Sequence, residues 1–169
     1  MINSEVSIKY RTLLLIIVIN FILQSTILQS LKVFNVSANF TLVLVIVVTI
    51  IYGLEKGVFA AVFAGLFIDT FLSMAIGMNL FILVIIAILI SIIGRPLFTG
   101  NKFTLVFMTA ISTTLYHIMY FFFMYFLNKG VSISDVMTKI VPAEIIYNSI
   151  ICVIVYQVSI KWIERHKLD

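Results

Sequence analysis

Apolar residues run along this chain in long unbroken stretches, and charges are so sparse that they act as punctuation. The stretches lie at 12–31, 36–53, 57–74, 78–94, 103–127 and 142–160. A membrane-crossing helix needs about 20 mostly apolar residues, with a range of about 17–25. The third stretch is interrupted only by Asp69. The fourth is short, and the fifth is long enough to require tilt. Pro142 opens the sixth, where a first-turn proline costs no hydrogen bond. Ile and Val are abundant, which on propensity favours strands. Transmembrane strands alternate in polarity, however, and these stretches do not, so they are read as helices. The pattern predicts an all-α polytopic membrane protein. It has six transmembrane helices in a single domain over residues 1–169. Connections are short, the longest being about 128–141.

Composition agrees with this class. The chain is 63% hydrophobic and 11% charged, with a mean hydropathy of +1.23. A soluble domain is about 45–50% apolar and about 25% charged, so a soluble enzyme, a disordered tail and a disulfide scaffold are excluded. The lone Cys152 permits no intrachain disulfide, and no zinc-ligand spacing occurs. The first stretch is too long for a signal-peptide core and lacks an A-x-A-like site, so it is expected to remain as a span.

The net charge of +4 is read as topology. Six spans place both termini on one side. With the N-terminus inside, Lys9, Arg11, Lys56, Arg95, Lys102, Lys161, Arg165 and Lys167 are cytoplasmic, and only Lys32, Lys129 and Lys139 are outside. The positive-inside rule therefore predicts N-in, C-in. Tyr10 and Trp162 fall where interfacial aromatics are expected. The basic C-terminus reads as an anchor near anionic lipid, with the bilayer as partner and no nucleic acid.

Ionisable residues inside spans are functional candidates by default. Asp69 costs roughly 2.5–3.5 kcal/mol at a helix centre and must face protein or water. It continues the four-residue spacing of Gly57, Ala61 and Gly65, and Ala60 and Ala64 widen that face. Small residues so spaced let a helix approach closely. They are candidates for helix packing or for partner contact.

Depth places the remaining polar residues. Gln24 and Gln29 lie in the outer half of the first span, and Asn79 opens the fourth. Glu144 and Asn148 share a face of the sixth, while His117 and Thr113 share a face of the fifth nearer the middle. Asp69, Asn79, Gln24, Gln29, Glu144 and Asn148 thus form an expected polar cluster in the outer half. Two readings fit it. One is interhelical hydrogen bonding, worth about 0.6 kcal/mol per bond on average. The other is a ligand or ion site, or a proton relay. For Asp69, Asn79 or a snorkelling Lys32 or Lys139 could hold the carboxyl. No nucleophile elbow, H-E-x-x-H or P-loop motif occurs, so no enzymatic activity, cofactor or metal is expected.

The order of features resembles a known family. Gly53 and Gly57 open the third span, Gly65-Leu66 is followed by Asp69, then come Gly77-x-Asn79, Gly94-Arg95 and Asn148 in the last span. This is similar to the MreD family of rod shape-determining proteins, most strongly over 33–98. The chain departs from it at Ser37-Ala38-Asn39, where the family often has a proline. The resemblance implies a non-enzymatic scaffold in the bacterial cytoplasmic (inner) membrane. Its expected partners are an MreC-like single-span protein and, within the same elongasome, MreB, RodA and a class B penicillin-binding protein. The implied role is directing lateral peptidoglycan synthesis and rod shape. The family also resembles, in fold, the S components of energy-coupling-factor transporters, and a vitamin-binding S component is the alternative. Against it, the first span has no Ala for an Ala-x-x-x-Ala docking motif, and the outer cluster lacks Trp. A small proton- or ion-coupled transporter would rest on Asp69 alone.

Overall fold

The structure, a computed structural model, describes residues 8–30, 37–73, 76–98, 100–127 and 136–166. Lys32, Lys129 and Lys167 lie outside the described residues, as do the side chains of Gln29 and Lys139. Among the described residues every regular element is helical. Helix α1 spans Tyr10–Ser30, α2 Phe40–Tyr52, α3 Leu54–Phe71 and α4 Met78–Leu89. A π-helical turn, Ile90–Gly94, and a last turn, Arg95–Leu97, prolong α4. Helix α5 spans Lys102–Phe126, and α6, preceded by a π-helical turn at Val136–Ile140, spans Val141–His166.

Three of these segments are long and apolar enough to cross a membrane: Met78–Leu97, Lys102–Phe126 and Val141–Arg165. Helix α3 carries Glu55, Lys56 and Asp69 within 18 residues, too many charges for that class. Helix α2 is a different kind of element from the span expected at 36–53. It has 13 residues, or about 20 Å at 1.5 Å each, against a hydrocarbon core of about 30 Å. Every residue from Thr41 to Ile51 is buried. A helix that is apolar all round belongs inside, and α2 packs against α1, α3, α4, α5 and α6.

A single residue, Gly53, joins α2 to α3. Its φ of 86° lies in the left-handed region, where a side chain is strained. A Cβ there would also meet the Arg95 guanidinium at 2.7 Å. Gly53 donates its N–H to Thr49 O and accepts from Gly57 N–H, so one residue ends one helix and starts the next.

Two apolar clusters form the interior. The larger joins Leu42, Ile46 and Ile50 of α2 to Ile82, Leu83 and Ile86 of α4, with Leu105 of α5 and Cys152 of α6. The smaller packs Leu13 and Ile17 of α1 on Leu44 and Val48 of α2 and on Ala60 and Ala64 of α3. Large apolar side chains also cover the outside, including Ile146, Ile150, Ile154 and Val158, four apart on α6 and each over half exposed. Such a surface on a soluble protein would drive association. Against lipid tails it is the expected covering.

Candidate functional site

The small residues of α3 set how close its neighbours come. A Cβ at Gly65 would lie 2.5 Å from Leu80 Cα and 2.8 Å from Leu80 N. Backbone meets backbone here, so only glycine lets α3 and α4 approach. At Gly57 a Cβ would collide with the Thr49 side chain of α2. Ala61 is buried in the larger cluster, and Ala60 and Ala64 in the smaller one. All five small residues are therefore buried within the chain's own bundle.

One turn beyond Gly65, the close approach brings Asp69 against the first turn of α4. A helix start leaves backbone N–H groups without helical partners, and a side-chain oxygen at the N-cap usually accepts from the second or third residue. The N-cap of α4 is Gly77, which has no side chain to offer. Asp69 supplies the missing acceptor from a different helix. Its Oδ1 accepts the Asn79 N–H at 3.0 Å, and its Oδ2 accepts the Leu80 N–H at 2.9 Å. Those are the second and third residues of α4. The carboxyl also faces the positive end of the helix dipole.

Asn79 extends the network. Its Nδ2 donates to Asp69 Oδ1 at 2.8 Å and to Ser73 Oγ at 3.3 Å. Its Oδ1 accepts from the Tyr116 hydroxyl of α5. Beside Tyr116, His117 Nε2 lies 2.7 Å from Glu144 Oε2 of α6. Glu144 Oε1 accepts from Asn148 Nδ2 at 3.3 Å, and the same Nδ2 donates to Thr113 Oγ1 at 3.1 Å.

Asn148 then reaches the start of α2. Its Oδ1 accepts the Asn39 N–H at 2.8 Å, while Asn39 Oδ1 caps α2 by accepting the Leu42 N–H at 3.0 Å. The Phe40 N–H goes to Gln24 Oε1 of α1 at 2.8 Å. Asn20 donates to Phe40 O at 3.1 Å and accepts from the Thr41 hydroxyl at 3.1 Å. The Ser37-Ala38-Asn39 segment is thus where α2 is capped, by its own Asn39 and by two neighbouring helices.

Of the six residues placed in the cluster, Asp69 pairs with Asn79, and Glu144 with Asn148. Gln24 meets Asn148 at the start of α2, where the two accept the adjacent Phe40 and Asn39 N–H groups, and the side chain of Gln29 is outside the described residues. Asp69, Asn79, Glu144 and Asn148 are buried. Asn20, a polar residue of the first span for which the sequence favours interhelical packing, joins the network, and Asn39 and Tyr116 complete it without a signal along the chain. Their roles depend on which helix ends they meet, which no spacing along the chain reveals. At the opposite end the Tyr10 hydroxyl donates to Glu55, and Lys56 Nζ lies over the Tyr10 ring, tying α1 to α3.

Among the described residues no group of three His, Cys, Asp or Glu side chains is placed to hold a metal. The buried polar atoms of the network are directed at helix starts and at each other. Fold and site together define a helical membrane protein whose polar groups fasten one end of the bundle.

Comparison with known proteins gives the family. The family model for the rod shape-determining protein MreD matches residues 6–165 of the 169. The chain belongs to the MreD family, a family of membrane proteins with a role in rod shape determination. No curated protein and no solved structure matches it.

Proposed function

We propose that this chain is a non-enzymatic scaffold of the bacterial cell-elongation machinery. It lies in the cytoplasmic membrane, binds an MreC-like single-span protein, and helps direct lateral peptidoglycan synthesis. MreB, RodA and a class B penicillin-binding protein are its expected company in the same complex. The family match over residues 6–165 carries this reading. In the proposed arrangement six helices lie in the bilayer with both termini cytoplasmic, supported by the eight cytoplasmic Lys and Arg against three. Helix α2 is shielded on every side by the others, so it need not span lipid alone.

The mechanism is presentation of a rigid helical surface. Exposed apolar rows such as Ile146, Ile150, Ile154 and Val158 offer van der Waals contact to partner helices, the main source of association in lipid. The polar network keeps those rows in register by fixing the helix ends that carry them.

Depletion tests the reading. Cells losing the chain round up in rich medium, and re-expression restores rods. Rescue by an added vitamin, or rods that persist after depletion, would contradict it. Vitamin rescue would point to the transporter alternative.

A further inference from the structure

Beside the polar network lies a cavity of about 310 Å³. It is bounded by Tyr116, His117, Tyr120, Phe121 and Met124 of α5 and by Val136 and Ile140 ahead of α6. Small-molecule sites start at about 300 Å³ and combine apolar walls with a few polar groups. The volume would hold about ten waters at ~30 Å³ each, but each water needs 2–4 polar partners. These walls are mainly rings and aliphatic groups, so a water filling would go largely unbonded.

Besides the hydroxyls of Tyr116 and Tyr120, the polar feature of the wall is His117. Its Nε2 is engaged with Glu144 Oε2, and both Glu144 oxygens already have partners. Its other ring nitrogen, Nδ1, has no hydrogen bond among the described residues. The Tyr116 hydroxyl is committed to Asn79. When Nε2 carries the proton given to Glu144, Nδ1 of the neutral ring is an acceptor. A ligand hydroxyl satisfies it, and a plain hydrocarbon chain does not. The apolar wall favours a flat ring. The Tyr116 and Tyr120 rings lie 21° from parallel, Phe121 adds a third ring, and Met124 offers sulfur, which packs well against aromatic edges.

We propose that this cavity binds a hydroxylated aromatic ring, a phenol, with the ring against Tyr116, Tyr120 and Phe121 and its hydroxyl on His117. The ring could belong to a free phenolic molecule or to a tyrosine side chain of a membrane partner, and the chemistry is the same. The site does not depend on the scaffold reading.

The test uses the purified full chain in detergent with 4-fluorophenol and 4-fluorotoluene as probes, followed by fluorine NMR against empty micelles. The wild type binds 4-fluorophenol saturably, and at least tenfold more tightly than 4-fluorotoluene. Val136→Trp, which fills the rim, weakens both probes tenfold or more. His117→Phe abolishes the preference for the phenol while 4-fluorotoluene still binds. The pair variant His117→Phe/Glu144→Gln gives the same result without a lone buried carboxyl. No saturable binding, binding unchanged in Val136→Trp, or a phenol preference that survives in both His117 variants overturns the proposal. Competition of 4-fluorophenol with a co-purifying partner identifies a partner tyrosine as the source. Binding without competition identifies a free phenol.

Discussion

Replacing Asp69 by leucine removes every acceptor and puts a somewhat bulkier apolar side chain in its place. The Asn79 and Leu80 N–H groups at the start of α4 then have no partner, since Gly77 offers none. A buried donor left unmade costs about 1–3 kcal/mol, so the two together cost roughly 2–6 kcal/mol. The lost Asn79 side-chain bond adds about 0.6 kcal/mol if it is average for a membrane protein. Asp69→Asn behaves differently. One oxygen still accepts, but an NH₂ group now faces an N–H donor and the attraction to the helix dipole is gone. That variant loses about 1–2 kcal/mol. At ~2–4 °C per kcal/mol for a chain of this size, leucine lowers the melting temperature by roughly 5–26 °C and asparagine by less. The assay is thermal unfolding of the purified protein in detergent, with membrane abundance measured in parallel. A leucine variant that melts with the wild type would show that Asp69 is not the cap of α4.

Gly65→Ala forces α3 and α4 apart, because the new Cβ meets Leu80 backbone atoms. It should cost about 1–3 kcal/mol, as overpacking does. It should also be non-additive with Asp69→Leu in a double-mutant cycle, since both act on the α3–α4 approach. Gly57→Ala meets Thr49 at Oγ1, Cβ and the backbone Cα, and Thr49→Ala removes only the first of these, so it should recover part of the lost melting temperature and not all of it. His117→Leu leaves Glu144 buried and unpaired at its Oε2, at a cost of up to about 3–5 kcal/mol. Adding Glu144→Leu should restore stability, and a double variant worse than His117→Leu would refute the pairing.

Much of this architecture is legible along the chain. Apolar stretches mark the helices because in lipid every backbone group must bond within its own element. The spacing of Gly57, Ala61 and Gly65 marks a close-approach face, and Asp69 stands out as a carboxyl among apolar neighbours. What the sequence hides is where polar side chains end up. Asp69 caps a helix that begins nine residues later, and Asn148 of α6 reaches Asn39 across 109 residues. Capping is usually read locally, from the residue just before the helix. Here that signal is present for α2, in Asn39, and absent for α4, whose cap is Gly77. Depth groups the polar residues in the outer half but does not say which helix start each one meets: Gln24 and Asn148 serve α2, while Asp69 serves α4. The full burial of α2 was also hidden, because its apolar run reads like any span of lipid-facing residues.

The scaffold account is tested most directly by co-purification of the MreC-like protein with the tagged full chain from solubilised membranes. The account predicts that the partner is recovered with the wild type and with Asp69→Asn, and that recovery with Asp69→Leu falls in proportion to the folded chain remaining. A wild-type chain at normal abundance that sustains rod shape but recovers no MreC-like partner would contradict it.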